Sequence, residues 1–353
     1  MSNSGWFIVP YILCCAILIT SCFHNWIKPR SAFTWMLSLV TSVYYAPLWL
    51  LHFLFLAANL LISPPLLSLG FSLILFSSLT LVFFFKIKNS PLSLSEVNWL
   101  RLFFPGFLSP SPNHQYDFAV QNGQLKVDHF TPPDPKSKTA VFFLFGGGFM
   151  NNDQSQLRLF NKRLADLGFH VFALNYRQLP GFSWPTPLDD ILKLIEETLK
   201  KVSIDTYYVG GRSAGGCLTM MASSNIQDPR HRGSFAIYPV TDLIAWGNDK
   251  SANLTLNSRW RVDLLCQKND VLAEKISPTH LKYSSTKKFL IFSGDFDPLV
   301  DVSESERLHE VLIKQGCSSE FHVFKNESHG CDANFDSFVG QKIEKLLVQF
   351  LQS

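Results

Sequence analysis

The residues best suited to chemistry lie in one block, Tyr207-Tyr208-Val209-Gly210-Gly211-Arg212-Ser213-Ala214-Gly215-Gly216, where a strand pattern runs through Gly-x-Ser-x-Gly into a helical one. A serine on so sharp a turn is held in a strained conformation. Its neighbours must be glycines to avoid steric clash, and the following helix N-terminus lies beneath it. Ser213 is therefore the candidate nucleophile, with a purely structural turn as the competing reading. Serine needs a general base, itself oriented by a carboxylate, and such an elbow is followed in chain order by acid and then histidine. Downstream, Gly294-Asp295-Phe296-Asp297-Pro298-Leu299 follows one strand candidate and Glu327-Ser328-His329-Gly330 follows another. Both fall just past the carboxyl ends of strands, where sites in α/β proteins assemble. Asp297 is the expected acid and His329 the expected base. Asp295 and Asp301 compete for the acid role, Asp301 also being placed to cap the next helix, and His322, inside a strand, reads as structural. A tetrahedral intermediate requires backbone donors aimed at its oxyanion. Phe145-Gly146-Gly147-Gly148-Phe149 follows a strand upstream of the serine, and its bare backbone can approach a substrate oxygen closely. Gly147 and Gly148, with the amide of Ala214, are the expected oxyanion hole. The alternative of a phosphate cradle lacks the Gly-Lys-Ser/Thr that completes a P-loop.

The elements that must position these residues alternate. Strands are expected at 124–130, 140–145, 170–175, 206–210, 234–238, 288–293 and 320–324, and helices at 153–167, 188–202, 215–224, 303–315 and 336–351. Short apolar strands separated by amphipathic helices imply a largely parallel sheet covered on both faces, an α/β fold. Residues 243–283 break the rhythm and read as an inserted cap. The expected organisation is a membrane region over 1–88, a linker over 89–114 and a catalytic domain over 115–353.

Residues 1–90 carry only Lys28, Arg30, Lys86 and Lys88 and no acid. Three apolar segments there, Trp6 to Phe23, Phe33 to Ile62 and Leu66 to Phe85, are long enough for spans of roughly 20 residues. With three transmembrane helices the pairs Lys28/Arg30 and Lys86/Lys88 fall on one side, which by the tendency of cations to stay inside places the C-terminal domain in the cytoplasm of a multi-pass integral membrane protein. A signal peptide is disfavoured because Met1 to Gly5 has no cation. In the proline-rich linker, Ser93 and Glu96 have capping-box spacing and Val97, Leu100, Phe103 and Phe104 recur at about helical period. That segment reads as a helix in the membrane interface or as a lid over the site.

The remaining 27 Lys and Arg against 28 Asp and Glu leave residues 91–353 at −1. With no basic stripe, a nucleic-acid partner is not expected. Seven cysteines without CxxC spacing signal neither a zinc site nor a disulfide framework, so no metal or cofactor is implied.

Beyond the elbow, an ordered series of motifs runs from Tyr176-Arg177-Gln178-Leu179-Pro180 with Trp184-Pro185 and Leu188-Asp189-Asp190, through Tyr238-Pro239-Val240-Thr241-Asp242-Leu243 and Ser277-Pro278, to Asp297-Pro298-Leu299. Over roughly 115–351 the chain resembles the α/β-hydrolase superfamily, specifically its hormone-sensitive lipase-like esterase branch, which includes membrane-anchored deacetylases and cholesteryl-ester hydrolases. The resemblance implies an α/β-hydrolase fold with Ser213, Asp297 and His329 at the triad positions and Gly147 and Gly148 in the oxyanion loop. Two residues depart from the family pattern. Phe145 stands where the family usually has histidine, which removes a polar anchor, and Arg212 stands where it commonly has aspartate, to form a surface ion pair or alter substrate preference.

The function expected is that of a membrane-anchored, lipase-like serine hydrolase cleaving lipid or other hydrophobic acyl esters through an acyl-enzyme. An amidase, deacetylase or thioesterase would use the same groups. A non-catalytic binding domain of the same fold is the reading from another class. Asn253 and Asn326 head glycosylation sequons, which matter only if the domain is lumenal.

Overall fold

The structure, a computed structural model, describes Leu18, Ile19, Cys22, Trp35, Met36, Leu39 and Thr41, then residues 44–353 apart from 63–65, 106–108, 121–122 and 135–136. Its centre is an eight-stranded sheet in the order β1-β2-β4-β3-β5-β6-β7-β8. The strands are β1 (His114–Val120), β2 (Gly123–Phe130), β3 (Thr139–Leu144), β4 (His170–Leu174), β5 (Thr206–Arg212), β6 (His231–Ile237), β7 (Lys288–Gly294) and β8 (Ser318–Phe324). β1 and β2 form an antiparallel hairpin joined antiparallel to β4, while β4, β3, β5, β6 and β7 pair in parallel. A strand covered on both faces needs no polar alternation. Accordingly Ala140 to Leu144 are all buried, and Phe142 stacks on Phe172 of the neighbouring strand with ring centroids 5.1 Å apart.

In the N-terminal part run α1 (Tyr45–Ile62), α2 (Leu66–Lys88) and α3 (Trp99–Phe103). Around the sheet lie α4 (Arg158–Asp166), α5 (Thr186–Lys201) and α6 (Ala214–Asn225). Four short helices follow, α7 (Leu243–Asn248), α8 (Lys250–Leu256), α9 (Ser258–Leu265) and α10 (Asp270–Ile276), then α11 (Val302–Lys314) and α12 (Phe338–Gln352). α6 is buried from Ala214 through Ser223, which makes it the central helix of the sheet. The four short helices occupy the stretch read as a cap.

The chain divides into two compact units, one of Met1–Phe107, Gly294–Pro298 and Phe324–Lys345, the other of Leu108–Ser293, Leu299–Val323 and Leu346–Ser353. In the first unit, Trp49 of α1 stacks on Phe83 of α2 at 5.1 Å and donates its indole N–H to Thr80. Tyr45, Leu79, Val82, Phe83 and Leu102 share one buried cluster with Phe338. Arg101 of α3 forks onto Glu344 at 2.8 and 2.7 Å and reaches Asp336 at 2.8 Å.

Two expectations change here. Ser93 and Glu96 do bond to each other, but the helix starts later, at Trp99, because the Asn98 side chain caps the Arg101 amide. Val97 and Leu102 of that segment are buried in the shared cluster, so the segment is packed core as well as surface. The three expected spans are not met among the described residues, where no helix is long and apolar enough to cross a membrane. The segment Trp6 to Phe23 lies almost wholly outside the described residues. Where they are described, the other two are α1 and α2, and α2 ends in a buried charge. Lys86, read as a flanking interfacial cation, is 4% exposed and paired with Glu327. The opposite surface of these helices exposes Leu51, Phe53, Leu54, Leu73, Ile74, Leu81 and Phe84.

Candidate active site

In the larger unit, Ser213 joins β5 to α6 at φ 52° and ψ −124°, a region costly for a side chain other than glycine. Its conformation is held by its own amide, which donates to the Ile237 carbonyl at 2.9 Å, and by its carbonyl, which accepts from the Cys217 amide at 3.0 Å. The flanking glycines are sterically required. A Cβ on Gly211 would lie 2.4 Å from the Gly215 carbonyl oxygen, and one on Gly215 would lie 2.2 Å from that of Phe145.

The triple-glycine loop follows β3 and abuts the elbow within the same unit, with the Cβ position of Gly146 only 3.1 Å from Cβ of Ser213. Gly147 and Gly148 have φ of 143° and 61°. The Gly146 amide is engaged by Gln156 at 2.9 Å and its carbonyl by Asn152 at 3.0 Å. That anchoring leaves Gly147 and Gly148 as the loop amides suited to an oxyanion. Arg261 of α9 donates to the Gly148 carbonyl at 2.7 Å and to the Leu256 carbonyl at 2.6 Å, fixing the far end of the loop.

Both departures from the family pattern find a physical account. The Phe145 ring lies flat on Tyr176, with centroids 4.3 Å apart and planes 8° apart, and the Tyr176 hydroxyl donates to the Phe145 carbonyl at 3.2 Å. An aromatic anchor thus takes the place of the polar one. Burial pushes the Tyr176 phenol well up from its ordinary pKa, so it remains a donor. Arg212 is 9% exposed, with its guanidinium 5.4 Å from the Tyr238 ring centroid. Arg212 is thus a nearly buried cation over an aromatic face, not a residue of the open surface.

In the smaller unit, His329 Nδ1 and Asp297 Oδ2 are 2.6 Å apart, and both side chains are buried. A carboxylate there fixes Nδ1 as the protonated nitrogen and leaves Nε2 as the base. The competing acids are otherwise engaged. Asp295 accepts the Asn326 amide at 2.5 Å, and Asp301 caps α11 through the Ser303 amide. His322 stacks on Phe292 at 5.8 Å and faces Glu320.

Three residues around His329 were not assigned to the site from sequence. Glu327 ion-pairs with Lys86 at 2.7 Å, and its carbonyl accepts the Phe296 amide at 2.9 Å. Trp35 donates its indole N–H to the His329 carbonyl at 3.0 Å. No local signal reveals pairs separated by 241 and 294 positions. Among the described residues no group of three or more His, Cys, Asp or Glu could hold a metal ion. The described cysteines, Cys22, Cys217, Cys266, Cys317 and Cys331, are buried. Cys14 and Cys15 lie outside the described residues.

A family model described as alpha/beta hydrolase fold matches residues 141–333. Esterase LipQ of Mycobacterium tuberculosis is 22% identical over 253 residues, 63% of this chain and 60% of that protein. An ethyl acetate hydrolase of Pseudomonas putida is 31% identical over 131 residues, 33% of this chain and 41% of that protein. The chain thus spans 60% or less of the length of these curated relatives. Among solved structures, a hyperthermophilic esterase from Pyrobaculum calidifontis superposes with TM-score 0.59 at 20% identity, covering 68% of this chain and 85% of that one. At such identity the likeness concerns the fold.

Proposed function

Because the chain belongs to the alpha/beta-hydrolase fold family, whose model matches more than half of it, we propose that it is a serine hydrolase that cleaves carboxylic esters through an acyl-enzyme. The observation that carries this reading is the elbow itself, Ser213 at φ 52° with a triple-glycine loop packed against it. In the first half-reaction Ser213 Oγ attacks the acyl carbonyl carbon while His329 Nε2 takes its proton. The amides of Gly147, Gly148 and Ala214 hold the resulting oxyanion, and Asp297 keeps the imidazole in the required tautomer and stabilises it when charged. His329 then protonates the leaving alcohol as the C–O bond breaks. Water, deprotonated by the same imidazole, attacks the acyl-serine and returns carboxylic acid and free Ser213.

Relatives named as an esterase and an ethyl acetate hydrolase support esters over amides and thioesters. A non-catalytic domain would draw support from Phe145 and from the large apolar N-terminal portion; the stacking on Tyr176 accounts for Phe145 without loss of the loop. The substrate class is an ester of a hydrophobic acyl group, drawn from or near a membrane. Supporting this are the acid-free composition of residues 1–90 and the apolar side chains that α1 and α2 expose. The protein is membrane-attached, with its catalytic part on the cytoplasmic side. Cations flanking the apolar segments, Lys28, Arg30 and Lys88, suit the anionic cytoplasmic leaflet and support that side, whereas the buried Lys86 no longer counts towards it. Glycosylation of Asn253 or Asn326 in cells would reverse the orientation.

The deciding assay is hydrolysis of a nitrophenyl-ester chain-length series by detergent-solubilised full-length protein, beside Ser213→Ala. Turnover by wild type and a loss of several powers of ten in the variant is the expected result. Equal inactivity of two folded proteins would return the reading to a binding domain.

A further inference from the structure

The turn that carries the base is fastened from both of its sides by groups within the smaller unit. Its first fastening is to the acid loop. The Asp295 amide donates to the Phe324 carbonyl at 3.2 Å, the Phe296 amide to the Glu327 carbonyl at 2.9 Å, and the Asn326 amide to the Asp295 carboxylate. At Gly294 the two backbones approach so closely that a Cβ would sit 2.1 Å from the Glu327 oxygen. Residues 294–297 and 324–329 therefore move as one piece, and Glu327 is its hub.

The second fastening comes from the N-terminal helices. The Glu327 side chain bonds Lys86 at the end of α2 at 2.7 Å, with the two side chains 9% and 4% exposed. Trp35 bonds the His329 carbonyl, its ring standing edge-on to the imidazole with centroids 6.3 Å apart. The Phe338 amide, further along the same chain segment, donates to the Tyr45 hydroxyl at the start of α1 at 3.4 Å. A region read from sequence as an anchor thus supplies a cation, an indole and a phenol to the segment bearing His329.

A buried ion pair is a poor source of net stability but a strict geometric constraint. Because a displacement of about 1 Å in a catalytic group costs on the order of 10²-fold in rate, the worth of such a constraint lies in where it holds the turn. We propose that Lys86 is a positioning residue for the reaction. Through Glu327 it holds the turn from Asn326 to Gly330 in the register that keeps His329 on Asp297, with Trp35 supporting it from the carbonyl of the histidine itself. The N-terminal helices are on this view part of the catalytic apparatus. The inference rests on the reading of His329 as the base.

The test uses full-length protein in detergent, with functional sites counted by stoichiometric labelling with a fluorophosphonate so that kcat is expressed per competent site. Lys86→Met alone removes the cation paired with a buried carboxylate and endangers folding, so the decisive variant is Lys86→Met with Glu327→Gln, which removes both charges. The expected result is a fall of about tenfold or more in kcat per labelled site with KM within about twofold of wild type, and recovery of most of the rate in Lys86→Arg, which keeps the cation. A pair that served only to hold the fold would lower the number of labelled sites and leave kcat per site unchanged, and that result overturns the proposal. If the double variant does not fold, Trp35→Phe decides. That variant keeps a ring and deletes the donor, so a severalfold loss in kcat per site supports the proposal and an unchanged value overturns it. If wild type turns over no ester, or Ser213→Ala is equally active, the reading of the site has failed and the positioning role falls with it. That failure is seen before any Lys86 variant is measured.

Discussion

Three aspartates lie within seven positions of one another ahead of His329, and sequence position alone does not rank them. Hydrogen bonding does. Asp297 is buried against the imidazole, Asp295 closes a turn onto Asn326, and Asp301 caps a helix. Asp297→Asn is therefore expected to lower kcat by about 10⁴-fold, because an amide that donates to Nδ1 selects the wrong tautomer. Asp301→Asn is expected to change kcat by less than about twofold, since asparagine caps a helix as well as aspartate. Steady-state hydrolysis of one nitrophenyl ester by the two folded variants checks both, and a large loss at Asp301 would reassign the acid. The elbow at Ser213 was legible because its glycines are forced by backbone clashes that sequence records directly. The contacts around His329 were not, since Lys86 and Trp35 reach its turn across more than two hundred positions.

At the scale of elements, the parallel strands could be read to within a few residues because burial on both faces makes them continuous apolar runs. β1 escaped that reading for the opposite reason. It is an edge strand, mostly exposed, and His114-Gln115-Tyr116-Asp117 has no apolar run to announce it. Its pairing with β2 brings His114 and Tyr116 against His129, which in turn shares a hydrogen bond of 3.0 Å with His170 of β4. Burial first, then the neighbouring His170 and His114, depress the His129 pKa to about 3. Below its ordinary value near 6.5 the unfolded chain takes up a proton at this position and the folded one does not. The contribution of His129 to stability is thus fully present above pH 6.5 and is lost as the pH falls towards 3, at about 1.4 kcal/mol per pH unit. His129→Phe, which retains the stacking on Phe172 at 4.1 Å, should flatten the fall in urea-unfolding stability between pH 6 and pH 4 by roughly that slope. An unchanged slope would show that the histidine is protonated in the folded protein.

For the molecule as a whole, the charge arithmetic separated an acid-free N-terminal quarter from a balanced remainder, and the composition invited a picture of a tether and a separate enzyme. Packing changes that picture. Apolar side chains of the described residues in 45–103 are divided between a buried cluster with Phe338 and an exposed surface. The exposed surface predicts that purified full-length protein floats with neutral phosphatidylcholine vesicles in a density gradient. Replacing Leu51, Leu54 and Leu81 together by glutamate should move most of it to the bottom fraction while ester hydrolysis in detergent is retained. Flotation unaffected by those charges would place the membrane contact elsewhere.

The bond between Arg261 and the Gly148 carbonyl bears on how such a fold could be re-engineered. Arg261 belongs to the four-helix insertion, yet its guanidinium occupies the space into which a Cβ on Gly148 would project, 2.6 Å away. Exchanging that insertion for one from a relative would strip a brace from the triple-glycine loop. On the proposed reading, chimaeras that do not bring an arginine to this position would carry a slackened loop beside Ser213, so that one graft would alter both the insertion and the speed of reaction.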